Sequence, residues 1–368
     1  RHDITANYAH LLNEDSSSVI TASLFSTYSA VRRYGDSVNY TSTEDTLNGH
    51  KLSAAMIGAQ LRYDQTIGVM RLRLGIISDI TRRLYDIDES FTPWFASYVD
   101  IPNTQAFGHI ALELTPALTF RSAARIALQD SRFMVGAGVG LRLRSSEDVY
   151  SFDASTSERA PIESEGYALA AERHVLFSMA GQWNLKNLHA SATAYARFIT
   201  DPILAVGVLN NGVFTSAQSY TGTSRRILGV AADATWRVGA IEMRPVVRVT
   251  SSSTAGAVDQ RFPLMAADLS VAYVYEVGRN SVRLGVSGRW LSQAQLPQYV
   301  APSWTYVSPA IRTESQYDGL NLFLVAMVGN ATVRASYENI LAQRWYTTSL
   351  APEISRSIRL SVDWSFFD

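Results

Sequence analysis

Ser357-Ile358-Arg359-Leu360-Ser361-Val362-Asp363-Trp364-Ser365-Phe366, close to the end of the chain, carries the pattern on which the fold turns. Ile358, Leu360, Val362, Trp364 and Phe366 occupy every second position, and Arg359, Ser361, Asp363 and Ser365 fill the positions between. Successive side chains of an extended strand point to opposite faces. One face of this strand is therefore wholly apolar and the other wholly polar.

The same alternation recurs upstream. Val282, Leu284, Val286, Gly288 and Trp290 oppose Arg283, Gly285, Ser287 and Arg289. Ile241, Met243, Pro245, Val247 and Val249 oppose Glu242, Arg244, Val246, Arg248 and Thr250. Leu228, Val230, Ala232, Ala234 and Trp236 oppose Gly229, Asp233 and Thr235, and Met70, Leu72, Leu74 and Ile76 oppose Arg71, Arg73 and Gly75, with Asp79 beyond. Several stripes end in an aromatic, as belts at a membrane interface would.

Connection lengths set the expected topology. Short turns rich in Gly, Asn and Asp stand at Asp64–Gly68, Asn184–Asn187, Arg237–Ala240, Glu276–Asn280 and Val328–Asn330, as tight hairpins require. Long polar connections are expected near 35–49, 84–105, 145–166, 201–224, 294–317 and 342–354. Short turns on one side and long loops on the other is the asymmetry of outer-membrane barrels. The expected fold is all-β: a transmembrane antiparallel up-and-down β-barrel of about 14–16 strands with short periplasmic turns and long extracellular loops. The whole of 1–368 reads as one such domain, with no plug domain, and 106–129 reads as one long strand or two. A soluble β-sandwich also alternates, but its strands are usually only about five or six residues long.

Composition agrees. The net charge is −1, so no field draws in nucleic acid or an anionic surface. Lys51 and Lys186 are the only lysines among 32 basic residues; a GC-rich genome alone would give this bias, and arginine also tolerates half-buried ion pairs better than lysine. The chain has no cysteine, which excludes thiolate sites and disulfides. No uninterrupted apolar run of 18 residues suggests a membrane helix. No basic-then-apolar leader follows Arg1, as expected of a processed protein or a piece of a longer one.

The hairpin from Leu320 through Val328-Gly329-Asn330 to Ala331–Leu341 resembles the C-terminal barrel of TonB-dependent outer-membrane receptors. Its Tyr337-Glu338-Asn339-Ile340-Leu341 resembles that family's Glu-Asn-Leu segment before a Tyr-containing stretch, here Arg344-Trp345-Tyr346. Ser224–Trp236, and Pro263–Tyr275 with Ser281–Trp290, resemble its recurrent strands, and the likeness runs over roughly 165–368. The terminal strand is similar to the signal read by the barrel-assembly machinery, with Arg359, Ser361, Trp364 and Phe366 at its marked positions. Ser361 stands where that signal usually has Gly, and Phe367-Asp368 extend past its terminal aromatic. The resemblance implies uptake of a solute, outer-membrane lipid as surroundings, and a plug or TonB-type partner. Transporters of this kind have about 22 strands around a plugged lumen; this chain reads as a C-terminal portion or a shortened, plugless relative.

No catalytic, cofactor-binding or metal-ligating set is expected. The histidines, among them His2, His50, His109, His174 and His189, form no His-x-x-x-His pair, and no Gly-x-Ser-x-Gly elbow or P-loop occurs. The glycines of Val135–Gly140 lie in an alternating strand, where small residues serve packing or curvature. Lumen-facing candidates are Arg71, Arg73, Asp79, Asp233, Glu242, Arg244, Arg248, Arg283, Arg289, Arg334, Glu338, Arg359 and Asp363. They could line a selective pore or form a stiffening ladder of cross-strand ion pairs. Loop aromatics Trp94, Tyr98, Tyr299, Trp304 and Tyr306 could stack on a ligand or partner or pack the loops together. The acidic stretch 145–166, with Glu147, Asp148, Asp153, Glu158, Glu163 and Glu165, reads as a solvated loop. Besides an uptake receptor, a passive porin-like channel and a docking subunit of an outer-membrane complex fit the pattern.

Overall fold

The computed structural model describes residues 2–13, 17–33, 50–86, 98–129, 132–161, 169–210, 213–254, 257–258, 264–295, 298–300, 305–307, 312–348, 351–352 and 356–364. One antiparallel sheet contains 19 strands. Two of these, Ala257–Val258 and Gln316–Tyr317, are two-residue extensions. The other seventeen are long: β1 His2–Leu11, β2 Ser18–Arg33, β3 His50–Ile67, β4 Met70–Asp86, β5 Tyr98–Thr115, β6 Leu118–Gln129, β7 Arg132–Ser145, β8 Asp148–Arg159 and β9 Glu172–Leu185. They continue as β10 Leu188–Thr200, β11 Arg225–Val238, β12 Ile241–Thr254, β13 Met265–Val277, β14 Asn280–Leu291, β15 Asn321–Val328, β16 Ala331–Glu338 and β17 Ser357–Trp364. Each pairs with the next in sequence, an uninterrupted meander.

The sheet has more strands than fourteen to sixteen for two reasons. The region 106–129 divides between β5 and β6 at Pro116-Ala117, and the acidic stretch 145–166, expected to be a loop, contains β8. The connections expected at 84–105 and 201–224 are also partly ordered, since β5 begins at Tyr98 and Ile203–Asn210 pairs with Val213–Thr221 as a separate hairpin. Acidic residues are weak strand formers on intrinsic propensity, but pairing and facing neighbours override that preference.

Two-residue turns join β3 to β4, β5 to β6, β7 to β8, β9 to β10, β11 to β12, β13 to β14 and β15 to β16, all at one end of the sheet. Gly68 and Gly278 open their turns at φ +55° and +59°, the position where a type II′ hairpin takes glycine. The opposite end carries the longer connections, with the two residues between β6 and β7 as an exception.

Register sorts the side chains into two faces. Leu74, Ile76 and Ile80 of β4, Phe133 and Val135 of β7, Val230 and Trp236 of β11 and Leu284 of β14 share the apolar face and are exposed. In β17, Ile358 is 80% exposed and Leu360 71%. Among the described residues few apolar side chains are buried, Ala127, Met134 and Ala160 forming one small cluster. An exposed apolar face on this scale is foreign to a soluble protein and matches a strand wall bathed in lipid.

The polar face has its own packing. Phe25, Phe107, Tyr195 and Phe323 stand directly opposite Gly58, Gly75, Gly229 and Gly285 on neighbouring strands. A Cβ at Gly58 or Gly75 would come within 2.5 Å of the facing ring. Each aromatic thus covers backbone that glycine leaves bare, a device that also pins register.

Among the described residues β1 pairs only with β2, and β17 only with β16. β1 runs into the short connection before β2, whereas β17 follows the long connection after β16. Both edge strands therefore point toward the short-turn end.

Candidate functional site

The polar face concentrates the charged chemistry. All thirteen residues Arg71, Arg73, Asp79, Asp233, Glu242, Arg244, Arg248, Arg283, Arg289, Arg334, Glu338, Arg359 and Asp363 fall on it by register. Ten of them are ion-paired. Arg73 reaches Asp64 at 2.6 Å, Arg71 reaches Glu113 at 2.8 Å, and Arg289 reaches Asp268 at 2.5 Å. Glu242 receives Arg244 at 2.8 Å and Arg283 at 3.2 Å, Arg359 meets Glu338 at 3.0 Å, and Arg334 meets Asp363. Asp79 accepts a hydrogen bond from Asn103 Nδ2 at 2.9 Å, and Asp233 one from Ser191 Oγ at 2.5 Å.

Pairs that sequence reasoning missed extend the ladder: Arg62–Asp64, Arg121–Asp153 and Arg237–Glu276. In the sequence Asp64 reads as part of a turn and Asp153 as part of a loop, which hides their place on the polar face. The glycines of β7 serve this wall: Gly136 lies opposite Arg125 and Gly140 opposite Asp153, leaving room for bulky polar partners. Charges so closely neutralised create little net field.

A denser cluster sits at the long-connection end of β9 and β10. Glu172 and His174 are buried, and His174 Nε2 lies 2.5 Å from Glu172 Oε1. Arg197 donates to His174 Nδ1 at 2.9 Å, and the backbone N–H of Ile203 donates to Glu172 Oε2 at 2.9 Å. With Nδ1 accepting, the imidazole proton belongs on Nε2, facing the carboxylate. The cluster fastens the start of the 203–221 hairpin to the sheet. Nothing in the spacing of Glu172, His174 and Arg197 announced it, because β10 brings Arg197 alongside.

Asn339, within the Tyr337–Leu341 segment, is buried with φ +51°. Its Nδ2 donates to Gln343 O and its Oδ1 accepts from Gln343 N, each at 2.8 Å. The side chain closes the turn after β16, so an asparagine in the left-handed region is used for both its backbone tolerance and its amide.

On the apolar face the first charges appear beyond the apolar stretch. Arg82 grips Asp100 through two hydrogen bonds of 2.7 Å past Ile80. Those bonds hold the Asp100 carboxyl below the ordinary carboxylate range.

Of the aromatic candidates, the backbone register sets Tyr299 opposite Tyr306. Trp94 and Trp304 lie outside the described residues. Tyr98 opens β5, and Tyr299 opposes Tyr306 in a short hairpin of Gln298–Val300 with Thr305–Val307; the side chains of all three lie outside the described residues. Arg359, Ser361 and Trp364 are in β17, while Phe366 lies outside the described residues. No group of three or more His, Asp or Glu among the described residues is placed to hold a metal ion.

No protein-family model and no curated protein matches the chain by sequence. Solved structures do match by fold. The copper transporter OprC superposes with a TM-score of 0.76 at 13% identity, over 99% of this chain and 65% of that one. The FrpB iron transporter from Neisseria meningitidis gives 0.67 at 11% identity, over 98% and 71%. The siderophore receptor PirA from Acinetobacter baumannii gives 0.65 at 12% identity, over 95% and 60%. The chain thus spans about two thirds of the length of these structures. They are TonB-dependent outer-membrane receptors, and this chain has the fold of their barrel portion.

Proposed function

We propose that the chain is the strand-built wall of an outer-membrane uptake receptor of the TonB-dependent type. The observation that carries this reading is the seventeen-strand meander with one lipid-like face and one ion-paired face, superposing on the copper transporter over 99% of its length. The apolar face meets acyl chains, and the polar face lines a wet lumen. The similar structures carry names of transporters or receptors for copper, iron and siderophores. A scarce metal ion or metal chelate is accordingly the solute class proposed here.

The wall is read as non-catalytic, its arginine–carboxylate ladder stiffening the strands and keeping the lumen wet. Because both edge strands run toward the short-turn end, pairing β1 directly with β17 would be parallel. Antiparallel closure requires an odd number of further strands between them. Such a wall would be inserted by the barrel-assembly machinery, reading Arg359, Ser361, Trp364 and Phe366, and would work with a plug and a TonB-type partner.

Uptake of radiolabelled copper and iron chelates by cells expressing the native reading frame tests the proposal. Accumulation that collapses when the proton gradient is dissipated supports it. Accumulation indifferent to the gradient, with steady planar-bilayer conductance of the purified protein, would make the chain a passive pore instead.

A further inference from the structure

A groove of about 690 Å³ lies in the apolar face between β7 and β10, almost entirely apolar in its lining. Its floor is Ala154 of β8 with Ala194 and Ala196 of β10, and Leu141, Phe177 and Met179 stand around them. Register explains the depression: Ala194 opposes Met179, and Phe177 is flanked by Ala196 on one side and Ala154 on the other. Phe177 thus rises between small residues on both neighbours, while Met179 faces Ala194 on one side and Phe152 on the other.

The groove leads toward a cation. Phe198 is the next residue after Ala196 on the same face, and Arg226 of β11 stands opposite it, its guanidinium 5.9 Å from the ring centroid. Arg226 ends the apolar row Leu228, Val230, Ala232 at the long-connection end of the sheet. Val175 is the β9 residue level with Phe198, and Arg173, two residues further toward the long-connection end, is engaged by Glu158 at 3.2 Å. Arg226 is exposed, and no carboxylate among the described residues forms an ion pair with it. A guanidinium on an aromatic face keeps its edge N–H groups free for an anion.

We propose that this groove and Arg226 form a binding site for one phosphorylated lipid of the leaflet on the long-connection side. One acyl chain lies in the groove, and the headgroup phosphate is held by Arg226. Inside hydrocarbon no water is released when a chain enters a groove. Selection must then come from close packing in the concavity and from the headgroup, and the structure supplies both. The proposal rests on the membrane placement given above. A chain that purified without detergent would overturn that placement, whereas the outcomes below concern the site alone.

The test is native mass spectrometry of the full-length protein after delipidation and exposure to bisphosphorylated lipid A, its dephosphorylated form, or phosphatidylcholine of matched chain length. Wild type should retain one lipid A per chain in preference to both other lipids. R226Q should retain lipid A about fivefold less well, the effect of one basic residue at an anionic membrane surface. The pair A194F/A196F, which fills the floor, should lose retention. Equal retention of phosphorylated and dephosphorylated lipid would overturn the proposal. So would wild-type retention by A194F/A196F, or a wild-type dimer that this pair dissociates, which would make a second copy the occupant. Should the filled variant fail to fold, R226Q against wild type decides.

Discussion

The two faces of β14 share one backbone and live under different rules. On one, Leu284 and Val286 are exposed without polar company; on the other, Arg283 reaches back to Glu242 and Arg289 to Asp268. In water the first face would be a liability and the second ordinary. In lipid the first is required, because a charge at the bilayer midplane is costly, and the second survives only by turning inward to water and pairing its charges. The comparison teaches that polarity in this chain is set strand by strand, with residue parity deciding the solvent.

The sharpest way to break the contrast is to move a charge across it. V286R, in the middle of the apolar stripe, is expected to cost about 2–4 kcal/mol. S287R, one residue away on the polar face, should stay within about 0.5 kcal/mol of wild type. Equilibrium unfolding in lipid vesicles measures both, and equal losses would abolish the distinction. Next comes G229L, which places a side chain where the Tyr195 ring lies. Overpacking should cost roughly 1–3 kcal/mol, and Y195A in the same chain should recover part of it.

E242Q removes the carboxylate shared by Arg244 and Arg283. Its side chain is 7% exposed while the two arginines keep 46% and 37%. With that solvent access the loss should be about 1–2 kcal/mol, seen as a lower unfolding midpoint. The smallest effect belongs to R71A, whose pair with Glu113 is open to water. It should change stability by less than about 0.5 kcal/mol and respond to salt.

Much of this was legible in the sequence. Period-two stripes such as Ile358–Trp364 and Val282–Trp290 gave the strands and their faces, and Gly-centred turns gave the hairpins. Eleven of the thirteen charged candidates stand in such stripes, Arg334 and Glu338 being the exceptions, because parity is a local property. What remained hidden was non-local or masked by composition. β8 reads as an acidic loop because Asp153 and Glu158 look solvated until Arg121 and Arg173 arrive from other strands. The Glu172–His174–Arg197 cluster and the aromatic–glycine pairs depend on register, which a single stripe does not encode. The groove depends on alanines of β10 meeting bulky residues of β9, again a matter of two strands at once.

The absence of cysteine allows single thiols to be placed at will. Spin labels placed in turn at residues 282 to 290 of β14 in the membrane-inserted protein report collisions with apolar oxygen and with a water-soluble nickel chelate. The account predicts strict two-residue alternation, with even positions open to oxygen and odd positions open to nickel. A strand on which both reagents vary together, or on which even positions are shielded from oxygen, would contradict it.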